Sequence, residues 1–159
     1  MSKEQAVDLN QIKTGGTFLT NVVGSEKVFC KELFSEEEKM IYEAMRDFAT
    51  NELLPLSQNE LNKKDEKLIR KLVEQMGELG FLGIDVPEKY GGSEMTKTGM
   101  CILAEGISFC GSPSFCTVWN VQTSIGSLGI IWYGNDEQKQ KWLPGICSGE
   151  KIAAFGLTE

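Results

Sequence analysis

Apolar residues recur at the helical period, between matched start and stop signals, along most of the chain from Ser35 onward. Ile41, Ala44, Met45 and Phe48 follow the i, i+3, i+4, i+7 spacing of one buried stripe. Ahead of them, Ser35-Glu36-Glu37-Glu38 has the spacing of a capping box and an acidic first turn that suits the helix dipole. Pro55 predicts the stop. From Asp65 to Leu79, Leu68, Ile69, Leu72, Val73, Met76 and Leu79 share one face, while Lys67, Arg70, Lys71, Glu74 and Glu78 face water. Gly80 stands where a left-handed C-cap glycine belongs. Such a pattern commits the chain to packed helices.

Further along, residues 81–92 are apolar but broken by Pro87 and the Gly91-Gly92 pair, which predicts an ordered loop. Helices are expected over Lys97–Cys110 and Ser114–Ser127, the second apolar nearly all round and therefore inside the bundle. A further helix starts at Asn135-Asp136-Glu137-Gln138, gains a Glu137–Lys141 pair, and is expected to close at Pro144. Beyond Gly149 the pattern changes. Ile152–Leu157 is a short apolar run without caps, which predicts a strand that has no partner in this chain. The expected fold class is all-α: an arm over residues 1–33, a helical domain over 34–150, and at 151–159 the start of a β-domain lying beyond the chain. Phe18, Leu19, Val22 and Val23 in the arm form a cluster that could dock on the body.

Composition narrows the chemistry. A chain of 159 residues can bury about two-thirds of its unfolded surface in one domain. The charge balance, 16 − 23 = −7, argues against a nucleic-acid partner. Histidine is absent, which removes histidine triads, imidazole zinc sites and histidine pH switches from this segment. The five cysteines form no CxxC and read as reduced thiols packed as small apolar groups in a cytoplasmic protein. There is no P-loop, GxGxxG, GxSxG or metal-spaced ligand cluster, so the residues alone close no catalytic constellation.

Two stretches carry more. Residues 79–92, LGFLGIDVPEKYGG, resemble the LG-x-x-GI-x-VPE-x-YGG loop of acyl-CoA dehydrogenases. Residues 133–144, YGNDEQKQKWLP, followed by SGEK at 148–151 and AFGLTE at 154–159, resemble that family's second signature in order and spacing. The likeness covers Phe34 to Glu159, and Gly15–Phe29 further resembles the very-long-chain-like members. The resemblance implies the N-terminal helical domain of a three-part flavoprotein with FAD as cofactor and an acyl-CoA as substrate. It also implies an electron-transfer flavoprotein as redox partner, and a glutamate base that lies downstream, so that no residue here is catalytic. Phe155, Leu157 and Thr158 match positions beside the flavin ring, where amides and a hydroxyl can bond its heteroatoms.

In that family the apolar helix flanks the fatty acyl chain, which makes Gln122, Thr123 and Gly126 the candidates for substrate contact. Another account of the same residues is that small side chains let helices approach and that Gln122 is satisfied by a backbone carbonyl. A lone strand and pocket-side helices would leave apolar surface exposed, so a homo-oligomer is expected. Two other functions fit the domain: a related acyl-CoA oxidase or flavin monooxygenase, or a non-catalytic helical interaction module.

Overall fold

A computed structural model describes residues 31–56, 60–63 and 65–157. The expected arm and its Phe18–Val23 cluster lie outside the described residues. The chain divides into two compact units, Met1–Glu37 and Glu38–Glu159. In the first, the described part holds a 3-10 turn at Lys31–Leu33 and the opening residues of a helix.

Among the described residues six α-helices follow in order: α1 (Glu36–Phe48), α2 (Glu66–Glu78), α3 (Lys97–Ile107), α4 (Pro113–Thr123), α5 (Leu128–Tyr133) and α6 (Asp136–Cys147). The core of the second unit joins Met45, Leu53, Met76, Phe81, Leu103 and Phe115, all nearly inaccessible to solvent. Gly106 lets α3 approach α1, since a Cβ there would lie 2.8 Å from Met45 Cγ.

Local chemistry explains the ends. Asp65 caps α2, its carboxylate accepting from the amides of Lys67 at 3.0 Å and Leu68 at 3.2 Å. At the other end Gly80 takes φ +77°, and the Phe81 and Gly80 amides return to the carbonyls of Met76 and Gly77. Asn135 and Gln138 form a reciprocal capping box at α6.

Proline acts differently at its two interior positions. α1 stops at Phe48, and the chain widens into a π-helical turn at Ala49–Leu53 before a 3-10 turn at Leu54–Leu56. The Pro55 ring would crowd the carbonyl four residues back, so regular α-helix ends earlier than Pro55 itself. Pro144 does not close α6, contrary to expectation. That helix runs on to Cys147, because its last turn buries Leu143, Ile146 and Cys147, and packing outweighs one missing amide.

The loop 81–92 folds back on itself. Ser93 donates to the Gly83 carbonyl at 2.9 Å and Met95 to that of Ile84 at 2.7 Å, while Phe81, Leu82, Ile84, Val86 and Tyr90 are buried. Gly92 is required by contact: a Cβ would sit 2.0 Å from the Val86 carbonyl oxygen. The hydroxyl of Tyr90 donates to Asp136 at 2.7 Å and ties this loop to α6. The first signature is thus a packing device.

Two expectations are corrected. The helix expected over Ser114–Ser127 ends at Thr123, where Ser124 leaves helical geometry, and a separate short helix, α5, follows. Among the described residues there is no strand, so Ile152–Leu157 is an extended tail. A strand needs a hydrogen-bonded ladder, and no second strand is there to form one.

Candidate functional site

Ser112 caps α4, its hydroxyl accepting from the Phe115 amide at 3.3 Å, and Pro113 opens the first turn. The spacing of Phe115, Trp119, Gln122 and Thr123 puts all four on the buried face. Trp119 Nε1 donates to the Phe81 carbonyl at 3.0 Å and thereby fixes α4 to the signature loop. Thr123 Oγ1 donates to the Trp119 carbonyl at 3.0 Å, inside its own helix.

Gln122 reaches out of the helix. Its nitrogen donates to the carbonyls of Ile146 at 3.0 Å and Lys151 at 2.8 Å, and its oxygen accepts from the Ala153 amide at 2.7 Å. The side chain is 1% exposed, so these bonds are made out of contact with bulk water, where leaving them unmade is costly. Gly126, one turn on, lies against the same segment: a Cβ there would meet Ala153 Cβ at 2.7 Å.

The segment that Gln122 and Gly126 hold is secured from its other side by α2 and α6. Arg70 donates to the Glu150 carbonyl at 3.3 Å, and Lys151 N to the Gly145 carbonyl at 2.8 Å. Gly149 turns the chain at φ +80° so closely that a Cβ would lie 2.6 Å from the Val73 carbonyl oxygen. Gly77 meets the same turn, with a Cβ position 2.1 Å from the Ser148 carbonyl oxygen. The SGEK motif is therefore a tight corner pressed onto α2.

From that corner the tail runs out with its apolar side chains uncovered: Phe155 is 59% and Leu157 78% exposed. The backbone of 154–157 makes no hydrogen bond among the described residues. Free amides and carbonyls beside an aromatic face fit one edge of a flat heteroaromatic group such as a flavin. Thr158, the third residue expected there, lies outside the described residues.

A cleft of about 520 Å³ opens where α2, α4 and the tail converge, lined by Leu61, Ile69, Arg70, Phe115, Val118 and Ile152. Its walls are mainly apolar, and Glu66 and Arg70 are the charged residues in its lining. Gln122, Thr123 and Gly126 do not border it; the structure gathers Gln122 and Gly126 beneath the tail instead. Sequence reasoning missed Arg70 because helical periodicity assigns it to the watery face of α2. The GE pair that follows α6 was the available signal, since Arg70 bonds the Glu150 main chain.

Electrostatics elsewhere are modest. The Tyr90 hydrogen bond, then the Lys89 charge, hold the Asp136 carboxyl below its usual range. Burial, helped by the Asp85 charge, pushes the Cys147 thiol up to about 11. Among the described residues no group of three or more His, Cys, Asp or Glu side chains is placed to hold a metal ion, and no helix is long and apolar enough to cross a membrane.

Residues 35–150 match the family described as acyl-CoA dehydrogenase, N-terminal domain, and the chain belongs to the acyl-CoA dehydrogenase family. A Bacillus subtilis (strain 168) protein named "Probable acyl-CoA dehydrogenase" is 40% identical over 148 residues, covering 93% of this chain and 24% of that protein. The human mitochondrial short-chain specific acyl-CoA dehydrogenase is 36% identical over 78% of this chain and 29% of its own length. A crystal structure of an acyl-CoA dehydrogenase complexed with FAD from Bacillus anthracis superposes with a TM-score of 0.80 at 42% identity, covering 91% of this chain and 24% of that one. The chain spans about a quarter of the length of these Bacillus relatives.

Proposed function

We propose that this chain is the N-terminal domain of an FAD-dependent enzyme that dehydrogenates an acyl-CoA thioester between its α and β carbons, as in fatty-acid β-oxidation. The observation that carries this reading is the pinned tail. The Gln122 carboxamide and the Gly126 contact hold the root of the tail at residues 151–153, and from that root Phe155 and Leu157 extend exposed. FAD, when bound, supplies the hydride acceptor. The chain's own part is to offer backbone donors and acceptors at 155–157, with Thr158 next in line, and the Phe155 ring as an apolar contact.

Thr123, Gly126 and the covered side of Gln122 serve substrate by shaping the wall of the acyl tunnel. With its polar atoms committed to the main chain, Gln122 acts through position. No residue of this chain is assigned as the base that takes the α proton, and the chain by itself is expected to be catalytically silent. An electron-transfer flavoprotein as acceptor and a homo-oligomeric assembly complete the reading. The exposed Trp132, Tyr133, Phe155 and Leu157 favour burial against further protein. The free thiols suit a cytoplasmic setting.

The test is a chimera in which this chain replaces the matching segment of the Bacillus subtilis relative. The purified chimera is expected to retain FAD and to bleach its oxidised flavin band when mixed anaerobically with a long-chain acyl-CoA. The chain alone, mixed with FAD and the same thioester, is expected to leave the band unchanged. A folded chimera that neither retains FAD nor bleaches, or stoichiometric bleaching by the chain alone, would overturn the reading.

A further inference from the structure

Between α3 and α4 the chain reverses through a 3-10 turn, Ser108–Cys110, and Gly111 at φ +69°. Two of its sulfurs meet across this corner: Cys110 Sγ lies 3.5 Å from Cys116 Sγ. Their surroundings differ. Cys110 is fully buried, with its sulfur bonded to the main chain of Ser112 as acceptor at 3.4 Å and donor at 3.5 Å. Cys116 is half-buried, donates to the Ile107 carbonyl at 3.7 Å, and opens onto a groove of about 280 Å³ shared with Ala104, Thr117 and Asn120. One member of the pair therefore borders a groove, and the other lies buried beside it.

We propose that Cys110 and Cys116 are a reversible dithiol–disulfide couple, in which Cys116 attacks a low-molecular-weight disulfide and Cys110 resolves the product. In the first step the Cys116 thiolate forms a bond to one sulfur of the small disulfide, whose other sulfur leaves as a thiolate. In the second, the Cys110 thiolate attacks Cys116 Sγ and expels the second small thiolate. Two protein thiols are oxidised, one small disulfide is reduced to two thiols, and the two protein protons pass to the leaving sulfurs. Closing the pair from 3.5 Å to a bonded length near 2.0 Å moves the sulfurs together by about 1.5 Å, within reach of side-chain rotation at a surface-facing Cys116.

The couple is slow by construction. Burial, and then the neighbouring Cys110 sulfur, push Cys116 up to about 12, so its thiolate is scarce near neutrality. Exposed Cys101 has no sulfur beside it among the described residues and is left as a dead-end mixed disulfide.

The sequence allows a direct test on the 159-residue chain. Chymotryptic cleavage after Phe109, Phe115 and Trp119 places Cys110 and Cys116 in separate peptides, 110–115 and 116–119. After incubation with excess oxidised glutathione at mildly alkaline pH, acid quenching, unfolding and alkylation, these two peptides are expected as one cross-linked species that dithiothreitol separates. Cys110→Ser is expected to trap glutathione on Cys116, and Cys116→Ser to leave Cys110 reduced. Recovery of both peptides alkylated, or of a stable glutathione adduct on Cys116 with Cys110 free in the parent chain, would overturn the proposal. Should a serine variant fail to fold, the cross-link in the parent chain decides by itself.

Discussion

Gln122 accepts the amide proton of Ala153 at 2.7 Å and donates to the carbonyl of Lys151 at 2.8 Å, so one side chain bonds the peptide groups on either side of Ile152. Main-chain pairing between parallel strands uses the same alternation, a carbonyl before the paired residue and an amide after it. A helix residue thus takes the place of a neighbouring strand and holds the start of the tail. The second donor hydrogen of the carboxamide goes to Ile146, so a single side chain links α4, the end of α6 and the tail.

Replacing that side chain is the most direct check on the pinned tail. Gln122→Leu leaves two carbonyls and one amide without their partner, and the expected loss is about 2–4 kcal/mol of stability. Urea denaturation gives the magnitude, and hydrogen exchange at the Ala153 amide gives the place, with protection lost there before elsewhere. Unchanged exchange at Ala153 would remove the tail from the account.

Two glycines with the same backbone conformation should respond differently to alanine. Gly80 (φ +77°) has nothing within 4 Å of a Cβ, so Gly80→Ala carries only the left-handed cost of about 1–2 kcal/mol. Gly149 (φ +80°) adds an overlap with the Val73 carbonyl, and Gly149→Ala should cost about 3 kcal/mol or more. Thermal unfolding of the pair checks the order, and equal shifts would contradict the packing of the corner on α2.

The Tyr90–Asp136 tie has a defined pH signature. The folded carboxyl titrates below its unfolded value, so its contribution is present above the unfolded pKa of about 3.9 and disappears as pH falls through the folded one. The difference in melting temperature between the parent chain and Asp136→Asn should be largest near neutrality and vanish in acid. A difference independent of pH would mean that the carboxylate charge plays no part.

Alkylation of the native chain should separate the thiols. Exposed Cys101 is expected to react first, and Cys147, whose proton is held to about 11, roughly 10²-fold more slowly or only after unfolding. Peptide mapping after a brief iodoacetamide pulse reads the order, and early labelling of Cys147 would show that the last turn of α6 opens readily.

Helix identity was legible in the residues because it depends on neighbours in the chain. The cap at Asn135, the stripe from Leu68 to Met76 and the left-handed Gly80 are short-range chemistry, and the structure places them where spacing predicts. Boundaries at Phe48, Thr123 and Cys147 were not legible. At the last of them distant packing overrides a local signal: burial of Ile146 and Cys147 carries α6 past Pro144.

The candidate site divides along the same line. The sequence by itself determined the bundle, the family and the identity of Phe155 and Leu157 as apolar residues in a capless run. Only the tertiary structure decided that this run is an unpaired tail, that Gln122 bonds it through three main-chain groups, and that Arg70 secures its root. A buried carboxamide must satisfy its donors and acceptor, yet its type does not say with what. Those partners lie 24 to 31 residues away for Gln122 and 80 for Arg70, and they become neighbours only when α2, α4 and α6 pack together.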